Sequence, residues 1–66
     1  MQVLVNGKQQ EVTEAKTVAE LLQELGYAQG SVAVAKNGEF LPRKDYASTT
    51  LEDKADIEIL LPMQGG

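Results

Sequence analysis

The sequence ends in two glycines, Gly65 and Gly66, directly after a segment that has the pattern of a β-strand. The five residues 62–66 extend at most about 17 Å, so a carboxylate at Gly66 would lie at the end of a short, narrow segment that projects from the domain. Because glycine lacks a Cβ, a narrow channel could admit both residues and bring a reagent close to the terminal carbonyl. A carboxylate is a poor electrophile and needs activation, most simply by adenylation. The pattern predicts a carrier or modifier whose reactive group is its own C-terminus.

The remaining residues offer little material for catalysis. There is no histidine and no cysteine, so the commonest general base and the thiolate metal ligands are missing. The other glycines form neither a dinucleotide-binding pattern nor a phosphate-binding loop, and Ser31 and Ser48 have no histidine to activate them. We therefore expect a protein that is not an enzyme and that binds no metal or ATP itself.

Composition narrows the class of partner. With 66 residues, 42% of them hydrophobic, the chain has the size and balance of one small globular domain. Six basic residues against ten acidic ones give a formal net charge of −4, and the basic residues are scattered. Nucleic-acid binding needs a clustered positive face, and a membrane span needs a long apolar run. We expect neither kind of partner, a cytoplasmic location, and a monomer when the protein is alone.

One helix is clearly predicted. Thr17 and Glu20 have the spacing of a capping box, in which the Thr17 hydroxyl accepts from the Glu20 N–H and the Glu20 carboxylate accepts from the Thr17 N–H. Apolar residues then recur at helical spacing from Val18 to Leu25. Gly26 stands where a left-handed residue would end the helix.

The other segments predict strands at 2–5, 8–12, 32–36, 39–41 and 57–61, with Asn6-Gly7 and Asn37-Gly38 as hairpin turns. One helix and one sheet pack most simply as a two-layer α+β domain over residues 1–61, with 62–66 as a flexible tail. We expect Phe40 and Tyr46 to be packing residues. The expected core consists of Val3, Val5, Val12, Val18, Leu21, Leu22, Leu25, Val32, Val34, Ile57 and Ile59.

This order of elements before a Gly-Gly ending resembles the ubiquitin-like β-grasp proteins and, more closely, the ThiS family of sulfur carriers in bacterial thiamine biosynthesis. The resemblance covers nearly the whole chain, although Asp53-Lys54-Ala55-Asp56 stands where the family has an Asp-Gly-Asp turn. It is carried by Asn6-Gly7, by Thr17-Val18-Ala19-Glu20-Leu21-Leu22, by the run from Val34 through Asn37-Gly38 to Pro42-Arg43, by Ile57-Glu58-Ile59, and by Pro62-Met63-Gln64-Gly65-Gly66.

The resemblance implies a mechanism and a set of partners. A ThiF-type adenylyltransferase would join the Gly66 carboxylate to AMP, using Mg and ATP that this chain does not bind. A sulfurtransferase or cysteine desulfurase would supply persulfide sulfur, which converts Gly66 to a thiocarboxylate. A ThiG-type thiazole synthase would then take the sulfur for the thiazole ring of thiamine.

Two groups of residues are expected to meet these partners. Met63, Gln64, Gly65 and Gly66 would enter a partner's active site. In a β-grasp sheet the first and last strands are adjacent, so Leu4 and Leu60 would form an exposed apolar patch near the tail, although single surface leucines are also ordinary. Arg43 would dock on an acidic surface of a partner, or simply be solvated.

Three alternatives remain at this point. A sulfur carrier for molybdopterin synthase would also end in Gly-Gly but is a longer protein. A ubiquitin-like modifier would form an isopeptide bond with a lysine instead of accepting sulfur. A plain binding module would keep its activity without Gly66.

Overall fold

Five strands form one mixed sheet in residues 1–61, which are the residues that the structure, a computed structural model, describes. The predicted flexible tail, 62–66, lies outside the described residues. One α-helix and two short 3-10 turns, Gln29–Ser31 and Arg43–Asp45, complete this part of the chain. In chain order the strands and helix are β1 (Gln2–Val5), β2 (Lys8–Glu11), α1 (Val18–Leu25), β3 (Ala33–Lys36), β4 (Glu39–Leu41) and β5 (Asp56–Leu60).

The last strand lies in the middle of the sheet. The strand order is β2-β1-β5-β3-β4, with β5 parallel to β1 and antiparallel to β3. A parallel pair needs a long crossover, and the chain between β1 and β5 contains α1. The predicted two-layer α+β architecture and the adjacency of the first and last strands are confirmed, and β2 lies at one edge of the sheet.

The helix begins and ends as the sequence predicts, but one capping contact differs. The Thr17 hydroxyl accepts from the Glu20 N–H at 3.2 Å, and Gly26 takes the left-handed conformation with φ 88°. The Glu20 carboxylate, however, accepts from the Lys16 N–H at 2.7 Å. The predicted bond from the Thr17 N–H to this carboxylate is therefore wrong, since the donor is the preceding residue. The bond links α1 to the segment that leads into it.

The core joins α1 to one face of the sheet, and all but one of the predicted core residues are buried. Leu25, at the end of α1, is only partly buried and packs against the edge of the core. Tyr46 is buried as expected, and its hydroxyl donates to the Val32 carbonyl at 3.2 Å. Phe40 does not pack: it is 72% exposed, because it lies on the face of β4 away from the core. The additional buried residues are Ala15, Ala19, Tyr46, Leu51 and Ala55.

Both Asn-Gly pairs form the predicted turns. Asn6 and Asn37 have φ of 51° and 52°, and the glycine after each has φ above 80°. This is the combination of positive φ values that a tight hairpin needs. The turn before β5, where the sequence departs from the Asp-Gly-Asp pattern, places Lys54 at φ 69°. A non-glycine residue thus occupies a left-handed position that glycine would take at a lower conformational cost.

Candidate functional site

The candidate site is built on β5, since this strand leads directly into residues 62–66. Ile57 and Ile59 are buried in the core, while Asp56, Glu58 and Leu60 are on the opposite, exposed face. The strand pairs with β1 on one side and with β3 on the other. The last described residues before the tail are therefore attached to the most constrained strand of the sheet.

The side chain of Asn6 extends this attachment beyond the end of β1. Its Oδ1 accepts from the Ile59 N–H at 2.8 Å, and its Nδ2 donates to the Ile59 carbonyl at 3.1 Å. These bonds occupy the two backbone groups of Ile59 that a continuation of β1 would have paired. The sequence analysis predicted only a turn at Asn6. The available signal was its position at the end of a predicted strand, where an asparagine amide can replace a peptide group as hydrogen-bond donor and acceptor.

Replacing Asn6 with alanine is expected to destabilise the protein by roughly 2–3 kcal/mol, because both polar groups of Ile59 lose their partner and alanine is strained at positive φ. Asn37→Ala is the matched control, since it has the same backbone strain but loses only one exposed side-chain bond, to the Asp56 N–H. Urea denaturation of the two variants and amide exchange at Ile59 measure the difference. Equal losses of stability would contradict a special role for Asn6.

A shallow depression of about 360 Å³ lies beside the end of β5. Leu60 and Leu61 are 57% and 66% exposed there. The Arg43 guanidinium reaches across and donates to the Gly30 carbonyl at 3.3 Å. The structure therefore brings together two of the predicted docking residues, Arg43 and Leu60, at the point where the tail begins. The lining residues are Gly30, Ser31, Val32, Ala33, Arg43, Leu60 and Leu61.

Leu4, the third predicted docking residue, is not part of this surface. It lies on the same face of the sheet as Leu60, but its neighbour on β5 is Asp56. Leu60 is four positions beyond Asp56 along β5, which corresponds to about 13 Å. Leu4 is half-buried and lines a different depression, together with Lys54. The prediction that Leu4 and Leu60 form one patch is therefore wrong, because it used strand order without the register.

On the exposed face, the strand neighbour of Leu60 is Ala33 of β3, and Phe40 of β4 lies beyond the β3 alanines. Leu60 is paired with Ala33, while Phe40 is paired with Ala35 two positions farther along the same face. Glu58 lies next to Ala35 on the other side. The exposed face near the tail thus combines Leu60 and Phe40 with small alanines between them. The sequence analysis did not predict Phe40 as a surface residue. The available signal was that successive strand residues point to opposite faces, so Phe40 and Leu41 cannot both face the core.

The principal ion pair of the described residues lies at the other end of β5. The Lys36 Nζ is 2.8 Å from Glu52 Oε1, in the segment that leads into β5. The Lys36 ammonium donates a hydrogen bond to the Glu52 carboxyl and holds its pKa below the usual range. This pair is partly solvated, so it positions the segment more than it contributes to stability.

Residues 1–61 contain no group of three or more acidic side chains arranged to hold a metal ion. No helix in that range is long and apolar enough to cross a membrane. The tail residues predicted to enter a partner's active site, with the reacting carboxylate on Gly66, lie outside the described residues; they are Met63, Gln64, Gly65 and Gly66.

Comparison with known proteins decides the family. The model of the ThiS family matches residues 3–66, which is nearly the whole chain. The chain belongs to the ThiS family. As a ThiS-family protein it is a small sulfur carrier of thiamine biosynthesis and not an enzyme.

Two relatives and one solved structure illustrate the match. The sulfur carrier protein ThiS of Escherichia coli K12 is 32% identical over 66 residues, which cover 100% of both chains. A thiazole synthase of Paramagnetospirillum magneticum AMB-1 is 35% identical, but this chain spans only 20% of its length. The crystal structure of the thiamine biosynthesis protein ThiS from Geobacter metallireducens is 42% identical, covers both chains completely and superposes with a TM-score of 0.84. That structure confirms the β-grasp fold.

Proposed function

We propose that the C-terminal carboxylate of Gly66 is the sulfur-carrying group and that it is activated by a separate ThiF-type adenylyltransferase. The carboxylate attacks the α-phosphate of Mg-ATP, pyrophosphate leaves, and Gly66 becomes an acyl-adenylate. A persulfide from a sulfurtransferase or cysteine desulfurase then attacks the carbonyl carbon, and AMP leaves. A thiol cleaves the resulting acyl disulfide, which releases the thiocarboxylate.

The observation that carries this proposal is the match to the ThiS family through Gly66, on a fold that places the central strand immediately before the tail. Residues 62–66 reach at most about 17 Å from Leu61, so the reacting group stays close to the folded domain. A partner must therefore bind the domain as well as the tail. The absence of cysteine and histidine from the sequence leaves the activation chemistry to that partner.

The receiving partner is proposed to be a ThiG-type thiazole synthase. One relative named thiazole synthase contains a segment similar to this whole chain within a polypeptide about five times as long. In that protein a carrier-like segment and the rest of the synthase are covalently joined. A separate carrier would make the same encounter by diffusion and docking.

The docking surface is proposed to lie around Leu60 and Arg43, beside the point where the chain enters the tail. Leu60 supplies exposed apolar area, and Arg43 supplies a cation whose only side-chain bond within residues 1–61 is to the Gly30 carbonyl. A partner surface with an apolar centre would contact Leu60, and a carboxylate at the rim of that surface would pair with Arg43. Such a partner would hold the domain while the tail enters its active site.

The proposal is tested by labelling the product. The full chain is incubated with a ThiF-type adenylyltransferase, Mg-ATP and a persulfide donor, treated with a thiol alkylator, and analysed by intact and fragment mass. We expect one ATP-dependent alkyl group on Gly66. Alkylation is needed because exchange of oxygen for sulfur has nearly the mass of oxidation at Met1 or Met63. The chain has no cysteine, so a background label cannot arise from a thiol of its own.

The other outcomes discriminate between the alternatives. An acyl-adenylate that forms but never yields a label would reject the sulfur-carrier mechanism. Conjugates between Gly66 and lysines of other proteins would favour a ubiquitin-like modifier. Omission of ATP is the control, and a label that persists without it would reject activation by adenylation.

A further inference from the structure

The two Asn-Gly turns have closely similar φ angles but hold their asparagine side chains differently. Asn6 and Asn37 have nearly equal φ, and Gly7 and Gly38 after them have φ of 83° and 85°. Both asparagines are exposed as residues. The structural difference between the two sites therefore lies in their side-chain amides.

The amide of Asn6 is bonded at both ends. Its Oδ1 and Nδ2 both bind the backbone of Ile59, and these bonds are partly buried. The amide of Asn37 has a single bond, from the Asp56 N–H to its Oδ1 at 3.0 Å, and this bond is exposed. Within residues 1–61, the Nδ2 of Asn37 has no hydrogen-bond partner.

We propose that Asn37 is a site of spontaneous deamidation in the folded protein and that Asn6, in the same dipeptide, is protected. The Gly38 nitrogen attacks the Asn37 Cγ, its proton passes to solvent, and Nδ2 leaves as ammonia. Water then opens the succinimide at either carbonyl, which gives aspartate or isoaspartate. No electron transfer is involved, and glycine at the following position leaves the attacking nitrogen unhindered.

The leaving group explains the selectivity. For attack, the side chain must rotate so that Cγ approaches the next backbone nitrogen, and Nδ2 must be free to depart. At Asn37 this breaks at most one exposed bond. At Asn6 it breaks two bonds and leaves the N–H and carbonyl of Ile59 without partners in a half-buried place. We expect Asn37 to react at least roughly fivefold faster, from the net stabilisation of about one further hydrogen bond.

The two asparagines contact opposite ends of β5. Asn37 lies beside Asp56, where β5 begins, whereas Asn6 binds Ile59, next to the end of β5. Modification at Asn37 adds a negative charge at the end of the sheet remote from the tail. The aspartate product can still accept the Asp56 N–H bond, so that product keeps this contact with β5.

The test compares both sites in one molecule. The full chain is incubated at mildly alkaline pH, and the deamidated fraction at each site is followed by fragment mass spectrometry that separates aspartate from isoaspartate. A parallel incubation in concentrated guanidinium chloride removes the fold. We expect Asn37 to react faster in the native protein and the two rates to converge in denaturant.

Two results would overturn the proposal. Equal native rates, or faster reaction at Asn6, would show that the bonds to Ile59 give no protection. The same excess of Asn37 over Asn6 in denaturant would show that the neighbouring residues, and not the fold, set the rates.

Discussion

Deletion of Gly66 is expected to abolish adenylation and to leave the fold intact. The deletion moves the terminal carboxylate back by one residue, about 3.5 Å, which takes it out of reach of the ATP phosphate in an active site shaped for the full tail. The core is built from residues between Val3 and Ile59, so stability should change by less than about 0.5 kcal/mol. Pyrophosphate release with a ThiF-type adenylyltransferase and urea denaturation measure the two effects.

A control on the domain surface separates docking from chemistry. Leu60→Ser removes an exposed apolar side chain beside the tail without touching the core. We expect a several-fold rise in KM for the carrier with little change in kcat, because the interaction would be lost equally in the bound complex and the transition state.

Pyrophosphate release by the chain without Gly66 at the rate of the full chain would contradict the proposed role of the terminal carboxylate.

The fold was predictable because its local signals agree with one another. The capping residue Thr17, the apolar spacing of α1 and the left-handed Gly26 all indicate the same helix. The two Asn-Gly pairs predict hairpin turns, and the structure confirms both, with β1 paired to β2 and β3 paired to β4. The Glu20 contact was missed because a carboxylate at this position can reach either of two adjacent N–H groups, and the choice depends on how the preceding chain is placed.

The candidate site was less predictable because it depends on tertiary register. Alternation along a strand correctly put Leu4 and Leu60 on one face, but only the pairing of Leu4 with Asp56 shows how far apart they are. The contact between Arg43 and Gly30 joins segments that are separated in sequence, so no local pattern indicates it. The bonds from Asn6 to Ile59 span 53 residues of sequence for the same reason.

Leu21→Ala is expected to have the largest effect on stability, because Leu21 is fully buried between α1 and the sheet. Loss of a buried leucine side chain typically costs about 2–5 kcal/mol, since the cavity collapses only in part. A domain of 66 residues has a free energy of unfolding of only about 3–10 kcal/mol. The variant should therefore have a substantial unfolded population at physiological temperature, which thermal and urea denaturation followed by circular dichroism will measure.

Leu25→Ala is the matched control, because it makes the same chemical change on the same helix at a partly buried position. Alanine has a higher helix propensity than leucine, so neither loss can be attributed to a weaker helix. We expect Leu25→Ala to cost less than half as much as Leu21→Ala. Equal losses would mean that α1 packs on the sheet through a different face. In that case the buried face of β5, and with it the support for the tail, would have to be assigned again.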